Sequence, residues 1–73
     1  MEHIWVEYEH VSERRLGAAL NEADTFVVAF QPGRILVASP KTPEQLQELV
    51  WGLNNGAYCS ATVADEDEIE DLL

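Results

Sequence analysis

The sequence is short of nearly everything that covalent stapling, catalysis or nucleic-acid binding would use. It holds one cysteine, so no internal disulfide can brace it and a hydrophobic core must. It holds four bases, Arg14, Arg15, Arg34 and Lys41, against fourteen acids, for a net charge of -10 with both histidines neutral. A field of that sign repels phosphate backbones and anionic lipid headgroups, which argues against direct contact with nucleic acid or a membrane surface. No apolar run approaches the roughly 18 residues of a spanning helix, and the N-terminus lacks the basic, apolar, small-residue order of a signal peptide. With a lone thiol, these absences lead to the expectation of a cytoplasmic protein.

Catalytic groups are also missing. Gly17, Gly33, Gly52 and Gly56 are dispersed, so no phosphate-cradling loop forms. Neither Ser12, Ser39 nor Ser60 lies in a G-x-S-x-G elbow. His3 and His10 stand near opposite ends of one predicted strand, too far apart to share a metal. Cys59 lies among small residues with no neighbouring base and reads as a buried structural thiol. Asp65-Glu66-Asp67-Glu68 has the charge of a calcium loop without its central glycine or distant glutamate. The expectation is a non-enzyme with no catalytic residue, metal ligand or cofactor.

What is present is one small domain. Over 73 residues, 47% are hydrophobic and 25% charged, a globular composition. Ile4, Val6 and Tyr8 alternate with His3, Trp5, Glu7 and Glu9, the period of a strand over His3–Glu9. Ser12 offers an N-cap, and Leu16, Ala19, Leu20 and Ala23 mark one face of a helix over 12–23, weakened by Gly17. Thr25–Phe30 and Arg34–Ser39 read as strands joined by Gln31-Pro32-Gly33-Arg34. There proline presets φ, and glycine accepts the positive φ of a type II turn. Thr42-Pro43-Glu44-Gln45 is a capping box with proline at the first helical position. Leu46, Leu49, Val50 and Leu53 continue as an apolar stripe over 43–54, and Asn55-Gly56 offers a left-handed stop. Ala57–Ala64 alternates again as a last strand.

This β-α-β-β-α-β order predicts an α+β, ferredoxin-like domain over 1–64, with a four-stranded antiparallel sheet and two helices on one face. A three-stranded sheet with one docked helix is the rival, should 12–23 be loop. Ile4, Val6, Phe26, Val28, Phe30, Ile35 and Val37 are expected to face the helices. Trp5, Val27, Ala29, Leu36 and Ala38 are then left on the opposite face, more apolar surface than a small monomer leaves wet. Either a partner or second copy covers that face, or the C-terminal segment does. Trp51, off the main helical stripe, is a second candidate anchor.

Residues 65–73 form an acidic tail or short helix. They carry Asp65, Glu66, Asp67, Glu68, Glu70 and Asp71 and no base, whereas residues 1–64 carry eight acids against the four bases. Ile69, Leu72 and Leu73 at i, i+3, i+4 would pin such a helix to the domain. At a rise of ~1.5 Å per residue its carboxylates fall about every 1.8 Å, close to the ~1.7 Å per charge of duplex DNA. In size, acidity, lack of catalytic groups and lone cysteine, the chain resembles phage-encoded anti-CRISPR and anti-restriction proteins. That resemblance implies a non-enzymatic inhibitor that covers the nucleic-acid site of a basic nuclease or effector complex. Trp5, Glu7, Glu9, Leu36, Trp51 and the six C-terminal acids would be its contact residues. The alternatives are an immunity or antitoxin-type protein that caps a basic toxin, and a homo-oligomeric module that binds a small ligand.

Overall fold

A computed structural model describes residues 1–72. In chain order the elements are β1 (Glu2–Glu9), α1 (Glu13–Glu22), β2 (Phe26–Gln31), β3 (Arg34–Ser39), α2 (Pro43–Trp51), β4 (Tyr58–Val63) and α3 (Glu66–Leu72). The strands form one antiparallel sheet in the order β2-β3-β1-β4. The starts of α1 and α2 follow their local chemistry. The Ser12 hydroxyl accepts from the Arg15 N–H at 3.2 Å, and Thr42 and Gln45 close a reciprocal capping box at 3.1 and 3.0 Å. Gly33 takes φ +78 in the β2–β3 turn, which glycine accepts without the steric penalty of a Cβ.

The main core lies on one face of the sheet. Ile4, Val6, Ile35, Val37, Cys59 and Ala61 meet Leu16 and Leu20 of α1 and Leu46 and Val50 of α2. At the end of this layer, two buried hydroxyls tie the α1–β2 connection to the β3–α2 connection. Thr25 donates to the Ala23 carbonyl at 3.2 Å and lies 2.7 Å from the Ser39 hydroxyl, which accepts from the Lys41 N–H at 3.0 Å. With the Thr25 proton so used, Ser39 is the donor between the two hydroxyls, and neither oxygen is left unpaired.

Three expectations are corrected. First, β2 does not alternate throughout, because a bulge between Val27 and Ala29 inserts one residue into its pairing with β3. Val27 and Phe30, opposite Val37 and Ile35, therefore share the α1–α2 face. Phe26 pairs with Ala38, and Val28 and Ala29 pack on the other side. A one-residue insertion moves every later side chain to the opposite face. Second, α2 ends at Trp51 with Gly52 as its cap, so Leu53 lies beyond the helix; Gly56 takes its positive φ, +86, in the following loop. Third, the expectation of a partner or second copy over the opposite sheet face gives way to the alternative, cover by the C-terminal segment. Trp5, Leu36 and Ala64 form a smaller core on that face, closed by Ile69 and Leu72 of α3 together with Val28 and Ala29. Leu73, expected to extend that apolar stripe, lies outside the described residues.

Candidate protein-binding surface

α3 is positioned from both ends. At its start the Ala64 N–H donates to the His3 carbonyl at 2.9 Å, extending the β1–β4 ladder by one residue. Farther along, the Glu68 carboxylate accepts from the Trp5 indole N–H. A groove of about 170 Å³ lined by Trp5, Gln31, Arg34, Glu68, Asp71 and Leu72 marks where the helix reaches the β2–β3 hairpin. Arg34 lies with its guanidinium 3.8 Å from the Trp5 ring centroid, a cation–π contact, and donates through Nε to Gln31 at 2.8 Å. Trp5 thus satisfies its one donor and has a cation on its ring, so the indole is fixed in position as well as buried.

The charge of α3 follows from the same packing. Ile69 and Leu72 turn to the sheet, and Asp65, Glu66, Asp67, Glu68, Glu70 and Asp71 are all exposed. Glu66, Asp67 and Glu68 in the first turn face the positive end of the helix dipole, whereas Glu70 and Asp71 oppose its negative end. Seven residues are too few to hold a helix alone in water, so docking on Trp5 and Leu36 is what keeps these carboxylates in a helical array.

The residues singled out in the sequence are not gathered into one patch. Trp5 is 4% exposed and Leu36 0%; both lie beneath α3, and no partner reaches them while that helix is seated. Glu7 and Glu9 are exposed, but β1 lies between β3 and β4, so they stand on an interior strand and not on the sheet edge. By strand alternation they share the Trp5 face with α3. Eight acids (Glu7, Glu9 and the six from Asp65 to Asp71) are therefore brought to one side of the molecule, with Arg34 as their basic neighbour. Trp51 is exposed at the end of α2 and belongs to the other layer.

Two features escaped the sequence reading. The stacking of Arg34 on Trp5 joins positions on neighbouring strands, and only the register Trp5–Leu36, Glu7–Arg34 makes them diagonal neighbours. A second groove, of about 320 Å³, runs between α1 and β2, lined chiefly by Tyr8, Leu16, Leu20, Val27, Phe30 and Ile35. Its aromatic wall exists because the bulge returns Phe30 to this face. At its rim the Tyr8 hydroxyl donates to Glu13 at 3.4 Å; burial, the Glu13 charge and this bond all raise the Tyr8 pKa. Burial likewise pushes the Cys59 thiol up to about 11, which keeps it protonated and unreactive at neutral pH. Among the described residues no group of three or more His, Cys, Asp or Glu side chains converges to hold a metal, and no helix is long and apolar enough to cross a membrane. In comparisons with known proteins, the chain matches no family model, no curated protein and no solved structure.

Proposed function

We propose that the protein is a non-enzymatic inhibitor that lays its acidic face on a basic nucleic-acid-binding protein and occupies that protein's nucleic-acid site, as anti-CRISPR and anti-restriction proteins do. The observation that carries this reading is α3, whose Glu66, Asp67, Glu70 and Asp71 carboxylates stand outward at helical spacing on a folded platform, with Glu7 and Glu9 on the same side. A preformed array of charge costs a binding partner less ordering entropy than a flexible tail of equal charge. The strand order and the two helices on one face support a ferredoxin-like architecture, which right-handed crossovers would complete. The lone buried thiol suits a reducing compartment, in keeping with a cytoplasmic site of action.

The test replaces the outward acids and leaves the roof contact alone: Glu66→Gln, Asp67→Asn, Glu70→Gln and Asp71→Asn, with Glu68 kept on Trp5. Immobilised protein is exposed to nucleic-acid-free bacterial lysate, and the retained proteins are challenged with duplex DNA. The expected result is retention of DNA-binding proteins that DNA displaces, with retention falling as salt rises and largely lost in the four-amide variant. Retention that ignores the four substitutions, or that DNA does not displace, overturns the reading. A second reading, a small-ligand module, is favoured by the apolar groove between α1 and β2, whose volume reaches the lower range of ligand sites at about 300 Å³.

A further inference from the structure

The sheet has two edges, and they are protected unequally. β2 carries a bulge, which twists an edge strand away from regular pairing. Among the described residues β4 has no bulge, charge or proline to guard it. Tyr58-Cys59-Ser60-Ala61-Thr62-Val63 contains no charge, proline or glycine in a chain of net charge -10, and it pairs with β1 at six consecutive positions without interruption. Because β4 ends the sheet, one side of it presents N–H and C=O groups outside the ladder.

Two large apolar side chains of this strand are exposed, and a third is exposed on the helix packed against it. Tyr58 is 49% exposed and Val63 57%, on opposite faces of the strand. Trp51 is 51% exposed. Gln45, Glu48 and Leu49 turn to the α1 side of α2, where they line a groove with Ala23. Trp51 is therefore on the other flank of the helix, beside β4, the strand on which α2 packs.

We propose that β4 pairs antiparallel with β4 of a second copy about a two-fold axis normal to the sheet, making one continuous eight-stranded sheet. Facing residues in such a pair must share a sheet face, and the register centred on Ser60 meets that condition. Tyr58 then lies opposite Thr62 of the second copy and Cys59 opposite its Ala61, while the two Ser60 hydroxyls meet on the axis. Phe26 and Phe30 stand on opposite faces of β2, so the same operation there cannot pair them.

The area suffices. An aromatic side chain carries about 150–250 Å², so the exposed halves of Trp51 and Tyr58 with Val63 supply roughly 300 Å². A six-residue edge about 20 Å long and about 10 Å thick adds ~200 Å². Two copies thus bury about 1,000 Å², the lower bound for a specific interface, which makes the dimer a weak one. Both α3 helices lie on the same face of the joined sheet, so dimerisation doubles the acidic array without covering it. Two copies of like charge repel, so salt strengthens this association, the opposite of its effect on capture of a basic partner.

The test is sedimentation equilibrium of the intact chain up to about 1 mM, at salt from about 0.05 to about 0.5 M. A monomer–dimer equilibrium that tightens with salt is expected. Thr62→Glu or Trp51→Ala should weaken it at least tenfold, and Phe30→Glu on the other edge should leave it unchanged. Should Thr62→Glu disturb folding, Ser60→Cys decides: mild oxidation gives a disulfide-linked dimer, whereas Phe30→Cys does not. A monomer at every concentration and salt, loss of the dimer through Phe30→Glu, or no cross-link through Ser60→Cys overturns the proposal. The four-amide variant of α3 leaves the dimer intact or tightens it, so failure of partner capture and failure of dimerisation are read separately.

Discussion

On one face of the sheet, α1 and α2 bring Leu16, Leu20, Leu46 and Val50 down on Ile4, Val6, Ile35 and Val37. On the other, one seven-residue helix brings Ile69 and Leu72 down on Trp5 and Leu36. The first layer joins helices with hydroxyl N-caps to a row of β-branched residues, so propensity, capping and burial agree. The second opposes its parts: its acids repel one another, while among the described residues a few apolar contacts, an indole hydrogen bond and the Ala64 N–H bond to the His3 carbonyl hold the helix in place. Strength and charge are thus divided between the faces. The side that makes the fold stable is not the side on which the acids gather.

Substitutions inside the two layers break this comparison most directly. Leu46→Ala empties a fully buried site in the two-helix layer and should cost about 2–5 kcal/mol, against a total of about 4–11 kcal/mol for a chain of this length. Leu36→Ala removes an equally buried side chain from the other layer. It should fall at the low end of that range, because a short helix settles into a cavity more readily than two helices joined through the sheet. Urea unfolding of the pair measures the difference. Equal losses would mean that the two layers are equally rigid.

A smaller effect sharpens the division. Ile69→Asp places a charge beneath α3 and should release that helix at a cost of about 1–2 kcal/mol, leaving the α1–α2 layer folded. In a Trp51→Phe background, which removes the exposed second indole, Trp5 emission should shift to the red and become quenchable by iodide, while amide spectra of the other layer change little. An unshifted emission would show that something other than α3 shields the indole.

The smallest effect comes with alkaline pH and belongs to the two-helix layer. The Cys59 pKa is raised from its ordinary 9.0 to about 11 by burial, so the unfolded chain gives up this proton first. Stability from this group is complete below about 9 and falls as pH rises towards 11, with Tyr8 adding in the same direction. Thermal melts of the native chain and of Cys59→Ala between pH 8 and 11 check this; the variant should lose less over the interval.

Much of the fold was legible because several local signals agreed. Thr42, Pro43 and Gln45 mark the start of α2 at three levels at once: cap, fixed φ and reciprocal hydrogen bond. The Pro32-Gly33 turn likewise stands between two strands of the right length. The bulge was not legible, because Phe26-Val27-Val28-Ala29-Phe30 is apolar at every position and offers no alternation to mark a slip in register. The site was legible in composition more than in arrangement. Six acids beside Ile69 and Leu72 announce an amphipathic helix, but whether it covers Trp5 depends on the balance of apolar burial against repulsion, which spacing does not weigh. The place of Glu7 and Glu9 depends on strand order, a long-range property that no local pattern carries.

Because α3 roofs Trp5 while its outer side carries the acids, any ligand of those acids is thermodynamically linked to the packing beneath them. A basic surface that engages the helix where it sits adds its binding free energy to folding, and the melting temperature climbs with ligand concentration. A surface that grips the carboxylates hard enough to lift the helix must also supply the cost of wetting Trp5 and Leu36, and it binds more weakly by that amount. The indole, pinned between Glu68 and Arg34, reports which of the two occurs: its emission holds in the first case and reddens in the second.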